Sequence, residues 1–274
     1  MRKLQGSEDR TQGGAAIVRG RIAMVVAAVA LGVLQGCGGR GAPQPAERAG
    51  PKGGEGTVAG PATQTPLPPG SSVDAGPVDA PVRLLFIGTS LTAGLGLDDP
   101  ATAWPGAVGQ IADSLGYRVA VQNAGLSGET SAGALRRADW LLKDARADVV
   151  VIETGANDGL RGTSVPQLEQ NLAGIVAKVK AALPRARLVV VQMEAPPNLG
   201  VPYAKGFHEV FGRVAAASGA TLTPFLLDGV AGEARLNQAD GIHPTREGAA
   251  TAARTVWPVL RGVLDSIRSA RPAL

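Results

Sequence analysis

The chain has 274 residues, 45% hydrophobic and 18% charged, with a formal net charge of +4. That size suits one globular domain with additional sequence rather than two full domains. The basic residues are scattered and not interleaved with aromatics, which argues against nucleic acid as a partner, and the single cysteine excludes an intrachain disulfide framework or a Cys-based metal cluster.

Arg19 and Arg21 precede an apolar run over 22–34 that ends in small residues before Cys37, the pattern of an export signal occupying 1–36. A run of this length is too short for a membrane span, which takes about 20 apolar residues. Leu34-Gln35-Gly36-Cys37 resembles the lipobox of bacterial lipoproteins. The resemblance implies that Cys37 is diacylated and becomes the mature N-terminus, anchoring the protein in a membrane. Gly38 is no Asp-type retention signal, so the same resemblance implies an exported protein on the periplasmic side of the outer membrane or at the cell surface. From 38 to 81 the sequence is rich in Gly, Pro and Ala and shows neither a helical nor a strand period, which reads as a tether. As a flexible coil it reaches roughly 36 Å root-mean-square.

The expected domain fills 82–274. Short apolar runs alternate there with longer amphipathic ones, a βα rhythm. Strands are expected at 82–87, 117–122, 148–152, 187–192 and 221–223. Helices are expected near 104–115, around Leu135 and Leu142, from a capping box at Ser164 and Gln167 onward, at 203–218, and at 245–267 with a kink at Pro258. Near-continuous Val, Ile and Leu runs such as 149–152 and 188–191 mark strands buried on both faces. The fold class is therefore α/β, a three-layer α/β/α sandwich around a five-stranded parallel sheet. The loops beyond the strand ends gather on one side, where such sheets bind ligands.

Those loops read Gly88-Thr89-Ser90-Leu91-Thr92, Asn123-Ala124-Gly125-Leu126-Ser127-Gly128-Glu129 and Gly155-Ala156-Asn157-Asp158, and Asp240-Gly241-Ile242-His243-Pro244 precedes the last helix. With these blocks in this order, the chain resembles the SGNH/GDSL hydrolase family over 82–264. Ser90 matches the serine of the first block, Gly128 the glycine of the second, Asn157 the asparagine of the third, and Asp240 with His243 the last pair. GANDGLRG at 155–162 and DGIHP at 240–244 bring it closest to the bacterial arylesterase, thioesterase I and lysophospholipase L1 group. Thr89 stands where the family usually has Asp. The resemblance implies the flavodoxin-like sheet of that family and cleavage of carboxylic esters or thioesters with a small or linear acyl chain. It also implies that the loops at 159–162 and 194–203 border an acyl pocket.

The residue chemistry points the same way. A serine hydroxyl needs a neighbouring base, which His243 supplies, and Asp240 orients that imidazole. The backbone amides of Ser90 and Gly128 and the side-chain amide of Asn157 are the expected oxyanion donors. The absence of a Gly-x-Ser-x-Gly elbow, and an acid beside the histidine, argue against an α/β-hydrolase. With two histidines and one cysteine a catalytic zinc site lacks ligands, so neither metal nor cofactor is expected. The expected state is a monomer. His208 reads as part of a solvated helix face with Lys205, Glu209 and Arg213, and Trp104, Trp140 and Trp257 as packing residues. Two other readings remain: a carbohydrate O-deacetylase with the same chemistry, and a catalytically idle ligand-binding lipoprotein, to which Thr89 is the only pointer.

Overall fold

The β-branched and leucine-rich runs form one all-parallel sheet from β1 (Val82–Gly88), β2 (Val119–Gly125), β3 (Val149–Ile152), β4 (Arg187–Gln192) and β5 (Thr221–Phe225), in the order β2-β1-β3-β4-β5. The structure, a computed structural model, describes residues 80–270. The expected export signal, Cys37 and the tether up to residue 79 lie outside the described residues.

Among the described residues seven α-helices accompany the strands: α1 (Ser90–Ala93), α2 (Trp104–Ser114), α3 (Ser131–Leu142), α4 (Ala156–Arg161), α5 (Val165–Ala182), α6 (Val201–Ser218) and α7 (Arg246–Ala270). Chain direction reverses across the sheet after β2, and crossovers between parallel strands are right-handed. Hence α2 and α7 share one face, where they pack together, and α3, α5 and α6 share the other, where α5 touches both neighbours. The result is the expected three-layer sandwich. Strands β1, β3 and β4 are buried almost throughout because helices cover both sides, and Trp104 of α2 meets Phe86 of β1 edge-on at 5.0 Å between ring centroids.

The departures from the sequence reading fall where hydrophobicity is a poor guide. Strand β2 starts two residues later than expected and runs three further, through Asn123 to Gly125. It is an edge strand with alternating exposure, so polar residues are tolerated along it. Tyr117 leaves the sheet instead. It packs edge-on to Trp257 at 5.6 Å, and its hydroxyl donates to Asp265 at 2.7 Å. The other edge strand, β5, continues to Phe225 through Pro224, whose missing N–H an edge tolerates.

The expected capping box at Ser164 does not form. Pro166 in the first turn has no N–H to give, and the Gln167 N–H is taken by the Ser164 main-chain carbonyl at 3.0 Å. Pro258 lies inside α7 without dividing it, because buried Val256, Trp257 and Leu260 hold both flanking turns on the core. Trp104 and Trp257 are packing residues as expected, but Trp140 is 67% exposed on α3, which corrects the reading of it as one.

The ends of β1 and β2 are in register, Gly88 opposite Gly125, and α1 lies directly on them. A Cβ at Gly125 would sit 2.2 Å from the Ala93 nitrogen, closer than any side chain allows. Glycine at this position therefore sets the height of α1, and of Ser90 on it, above the sheet. Gly125→Ala is expected to cost about 1–3 kcal/mol in denaturant unfolding, as overpacking does. Unchanged stability would contradict this packing argument.

Candidate active site

Ser90 is the first residue of α1, at the point where β1 gives way to helix. Thr89 before it is extended, at φ −95° and ψ −154°, and Gly94 ends the helix after one turn at φ +76°. This strand–turn–helix leaves the Ser90 side chain 7% exposed, facing the loop that carries His243.

His243 lies within a compact turn built by Asp240. One Asp240 carboxylate oxygen accepts the backbone N–H groups of Ile242 at 2.9 Å and His243 at 3.0 Å, and the other lies 2.6 Å from His243 Nδ1. His243 Nε2 lies 2.9 Å from Ser90 Oγ. Partial burial raises the Asp240 pKa, but the hydrogen bonds from the His243 ring and from the two amides outweigh it and hold it at about 2. An ionised carboxylate only accepts, so the proton between the pair resides on Nδ1 and leaves Nε2 with a lone pair for the serine hydroxyl. Such a chain can take a proton from Ser90 as its oxygen bonds to an electrophile.

Gly128 has φ +76°, with nothing within 4 Å of where a Cβ would stand, so its backbone borders open space. Among the described residues the N–H groups of Ser90 and Gly128 donate to no protein acceptor. The Asn157 side-chain amide donates one hydrogen to the Glu129 carbonyl at 2.9 Å, which ties it to the Gly128 loop and leaves its other hydrogen available. The structure thus brings Ser90, Asp240 and His243 into one hydrogen-bonded chain, and joins Asn157 to the loop that carries Gly128. Asp158 is not part of that chain: its carboxylate accepts from Ser131 N at 2.8 Å and Ser131 Oγ at 2.6 Å, fixing the start of α3 to α4.

Two participants escaped the sequence reading. Glu153, one residue past β3 and 1% exposed, accepts Thr89 N–H at 2.9 Å, the Thr89 hydroxyl at 3.0 Å and the Thr92 hydroxyl at 2.9 Å. Trp104 Nε1 donates to the Thr92 hydroxyl at 3.2 Å, extending the network into α2. Burial pushes the Glu153 carboxyl up and these donors pull it back, with burial prevailing. Thr89 therefore does more than cap α1, since its hydroxyl meets a carboxylate already in place. The second is Gln238, whose side-chain amide donates to Leu95 O at 2.7 Å and Pro244 O at 2.9 Å, clamping the histidine turn to the segment after α1. A carboxylate directly after a buried strand was the available signal for Glu153; Gln238 offered none.

His208 lies on a solvated helix face as expected, its side chain 59% exposed, with Lys205, Glu209 and Arg213 on the same face, and its Nδ1 lies 2.6 Å from Glu194 Oε1. Among the described residues no cluster of His, Cys, Asp and Glu can hold a metal ion.

The GDSL-like Lipase/Acylhydrolase family matches residues 86–251. The chain belongs to this family. Esterase TesA of Pseudomonas aeruginosa is 41% identical over 181 residues, covering 66% of this chain and 89% of that protein. Thioesterase 1/protease 1/lysophospholipase L1 of Escherichia coli is 37% identical, over 60% of this chain and 76% of that protein. Among solved structures, TesA superposes with a TM-score of 0.62, over 66% of this chain and 99% of its own. The psychrotrophic esterase EstA from Pseudoalteromonas sp., inhibited by monoethylphosphonate, also gives 0.62 at 33% identity, over 67% and 98%. The family match spans the stretches that hold Ser90, Gly128, Asn157, Asp240 and His243.

Two outcomes follow from the electrostatics. Glu153→Ala leaves Thr89 N–H and the Thr92 hydroxyl buried without an acceptor, and is expected to cost about 1–3 kcal/mol in denaturant unfolding; a neutral result would show the network to be dispensable. The folded pKa of Asp240 lies below its ordinary value of 3.8. Its contribution to stability is therefore complete above 3.8 and is lost as pH falls towards about 2. With 45% of its side chain exposed, solvent screens part of it. Asp240→Asn should flatten that part of the acid unfolding curve, and an unaltered curve would contradict the assignment.

Proposed function

We propose that the chain is a serine hydrolase of carboxylic esters or thioesters. The observation that carries this is the unbroken path from Asp240 through His243 to Ser90 Oγ, at 2.6 and 2.9 Å, inside a GDSL-like domain. Ser90 Oγ attacks the acyl carbon while its proton passes to His243 Nε2, and the carbonyl electron pair moves onto oxygen. The resulting oxyanion is held by Ser90 N–H, Gly128 N–H and the Asn157 amide. Collapse expels the alcohol or thiol with the proton from Nε2 and leaves an acyl-serine. Water then repeats the sequence: its proton goes to Nε2, it bonds to the acyl carbon, and Ser90 departs with the proton. Asp240 keeps the tautomer and stabilises the imidazolium throughout.

The enclosed space behind Ser90 and His243 measures only about 10 Å³, room for a single water. The acyl chain accordingly lies along the surface. Leu160, Leu199 and Val201 are 52%, 37% and 79% exposed on the two segments that border the acyl site in this reading, which come close enough that a Cβ at Gly159 would meet Pro196 at 3.4 Å. An apolar rim of this kind suits a small or linear acyl group.

We read the protein as a monomer. We read Cys37 as the lipidated N-terminus of an exported protein anchored at the outer membrane or cell surface, with 38–81 as its tether. Among the described residues no helix is long and apolar enough to cross a membrane.

The test is hydrolysis of p-nitrophenyl esters of graded acyl length by the full chain. Ser90→Ala is expected to lose about a millionfold or fall to background, and Asn157→Ala about 100- to 1,000-fold in kcat. Equal activity in wild type and Ser90→Ala removes Ser90 as nucleophile. Inertness of the wild type towards every ester turns the assignment to a ligand-binding protein, and turnover confined to acetyl groups on sugars turns it to a deacetylase.

A further inference from the structure

The turn that presents Gly128 has little packing to hold it. Residues 126–128 are exposed, and nothing stands within 4 Å of where a Gly128 Cβ would be. The bond that closes the turn, from Glu129 N–H to the Leu126 carbonyl, is long at 3.3 Å. At its start Leu126 N–H donates to the Gly88 carbonyl at 2.8 Å, so the turn leaves the sheet beside the end of β1.

Arg137 of α3 supplies the constraint that packing does not. Its Nε and Nη2 donate to the two Glu129 carboxylate oxygens at 2.8 and 2.6 Å, and Nη2 donates also to the Ala124 carbonyl at 3.0 Å. One planar guanidinium thereby joins the chain before the turn to the residue after it. The two side chains are only 18% and 4% exposed, so this bidentate pair is little screened by solvent. Gly133, one turn earlier on α3, makes room for it, since a Cβ there would stand 2.9 Å from Glu129 Cγ. Arg161 also reaches the turn, but through a single bond to the Gly128 carbonyl at 3.1 Å.

Two oxyanion donors depend on where Glu129 lies. Gly128 precedes it directly, and its main-chain carbonyl accepts the Asn157 side-chain amide at 2.9 Å. The third donor, Ser90 N–H, is placed separately by the Glu153 contacts to Thr89.

We infer that Arg137 is a positioning residue, setting through Glu129 the placement of Gly128 N–H and the Asn157 amide around the oxyanion. The inference rests on the proposed hydrolase reading and adds what holds two of its three donors in place. Arg137 Nε and Nη2 are committed to protein acceptors, so the guanidinium works through the loop. Negative charge gathers on the carbonyl oxygen as Ser90 bonds to the acyl carbon, so displaced donors lower kcat and leave ground-state binding, read as KM, nearly unchanged. Lysine carries the charge but not the planar fork, and cannot reproduce the clamp in full.

The experiment is steady-state hydrolysis of p-nitrophenyl butanoate by the full-length protein, comparing wild type with Arg137→Lys, Arg137→Gln and Glu129→Gln. Each replacement is measured again in an Asn157→Ala background, with thermal melting reporting that every variant is folded. The Arg137 variants are expected to lose about 10- to 100-fold in kcat, no more than the loss of a whole donor, with KM within about twofold of wild type. Arg137→Lys should retain more activity than Arg137→Gln. In the Asn157→Ala background the same replacements should cost at least about threefold less, because one of the donors they displace is already gone. A merely structural role gives the same factor in both backgrounds. That result, an unchanged kcat, or a loss carried by KM overturns the inference while leaving the hydrolase reading intact. If the Arg137 variants do not fold, Glu129→Gln decides alone: it weakens the fork and is expected to show the same kcat loss and the same coupling to Asn157, and an unchanged kcat there overturns the inference. An inactive wild type overturns the hydrolase reading itself.

Discussion

The buried carboxylate of Glu153 fastens the Ser90 turn to the end of β3, and the geometry of the whole edge follows from that attachment. A one-turn helix such as α1 has no stability of its own, since nucleation costs more than its few hydrogen bonds return. Here the Thr89 amide and the Thr89 and Thr92 hydroxyls converge on one carboxyl group, and Trp104 extends the network into α2. Donors surround the carboxyl group but no cation does, so it holds the turn by hydrogen bonding in a dry setting where each bond is strong and each unmade one costly. The same arrangement gives Thr89 a physical reason to stand where the family usually has Asp: it brings a hydroxyl donor, not a second carboxyl group, to a site that already has one.

The histidine side is built differently. Asp240 folds its own turn through two backbone amides and positions the imidazole with its remaining oxygen, so one residue serves both local structure and orientation. That turn is then tied to the segment following Ser90 by Gln238. The 2.9 Å between His243 and Ser90 is thus set by two independent fastenings, one on each partner.

Most of this was legible in the sequence because the buried strands are monotonous. The runs in β1, β3 and β4 are covered on both faces, and apolarity marked their places to within a residue. The edge strands were harder. In β2 the apolar–polar alternation fades into Gln122 and Asn123, and Tyr117 drew the expected start two residues early. The small-residue blocks revealed Ser90, Gly128, Asn157, Asp240 and His243 because their order is distinctive. Glu153 and Gln238 act through partners distant in sequence, 64 residues for Thr89 and 143 for Leu95, and no local pattern reports such pairings. Ser164 failed as a box because the amide it needed, that of Gln167, is taken by its own main-chain carbonyl.

The near-absence of space behind Ser90 has a consequence for selectivity. A closed-ended tunnel works as a ruler, accepting chains up to its length and rejecting the next. Here the core is filled by Leu91, Trp104 and Leu226 up to the serine, leaving about 10 Å³. On the proposed reading, an acyl group laid across an open rim instead gains about 0.8 kcal/mol for each methylene that finds cover, and gains nothing once it runs past Val201 into water. Discrimination by such a surface is a slope that flattens into a plateau, with no cutoff.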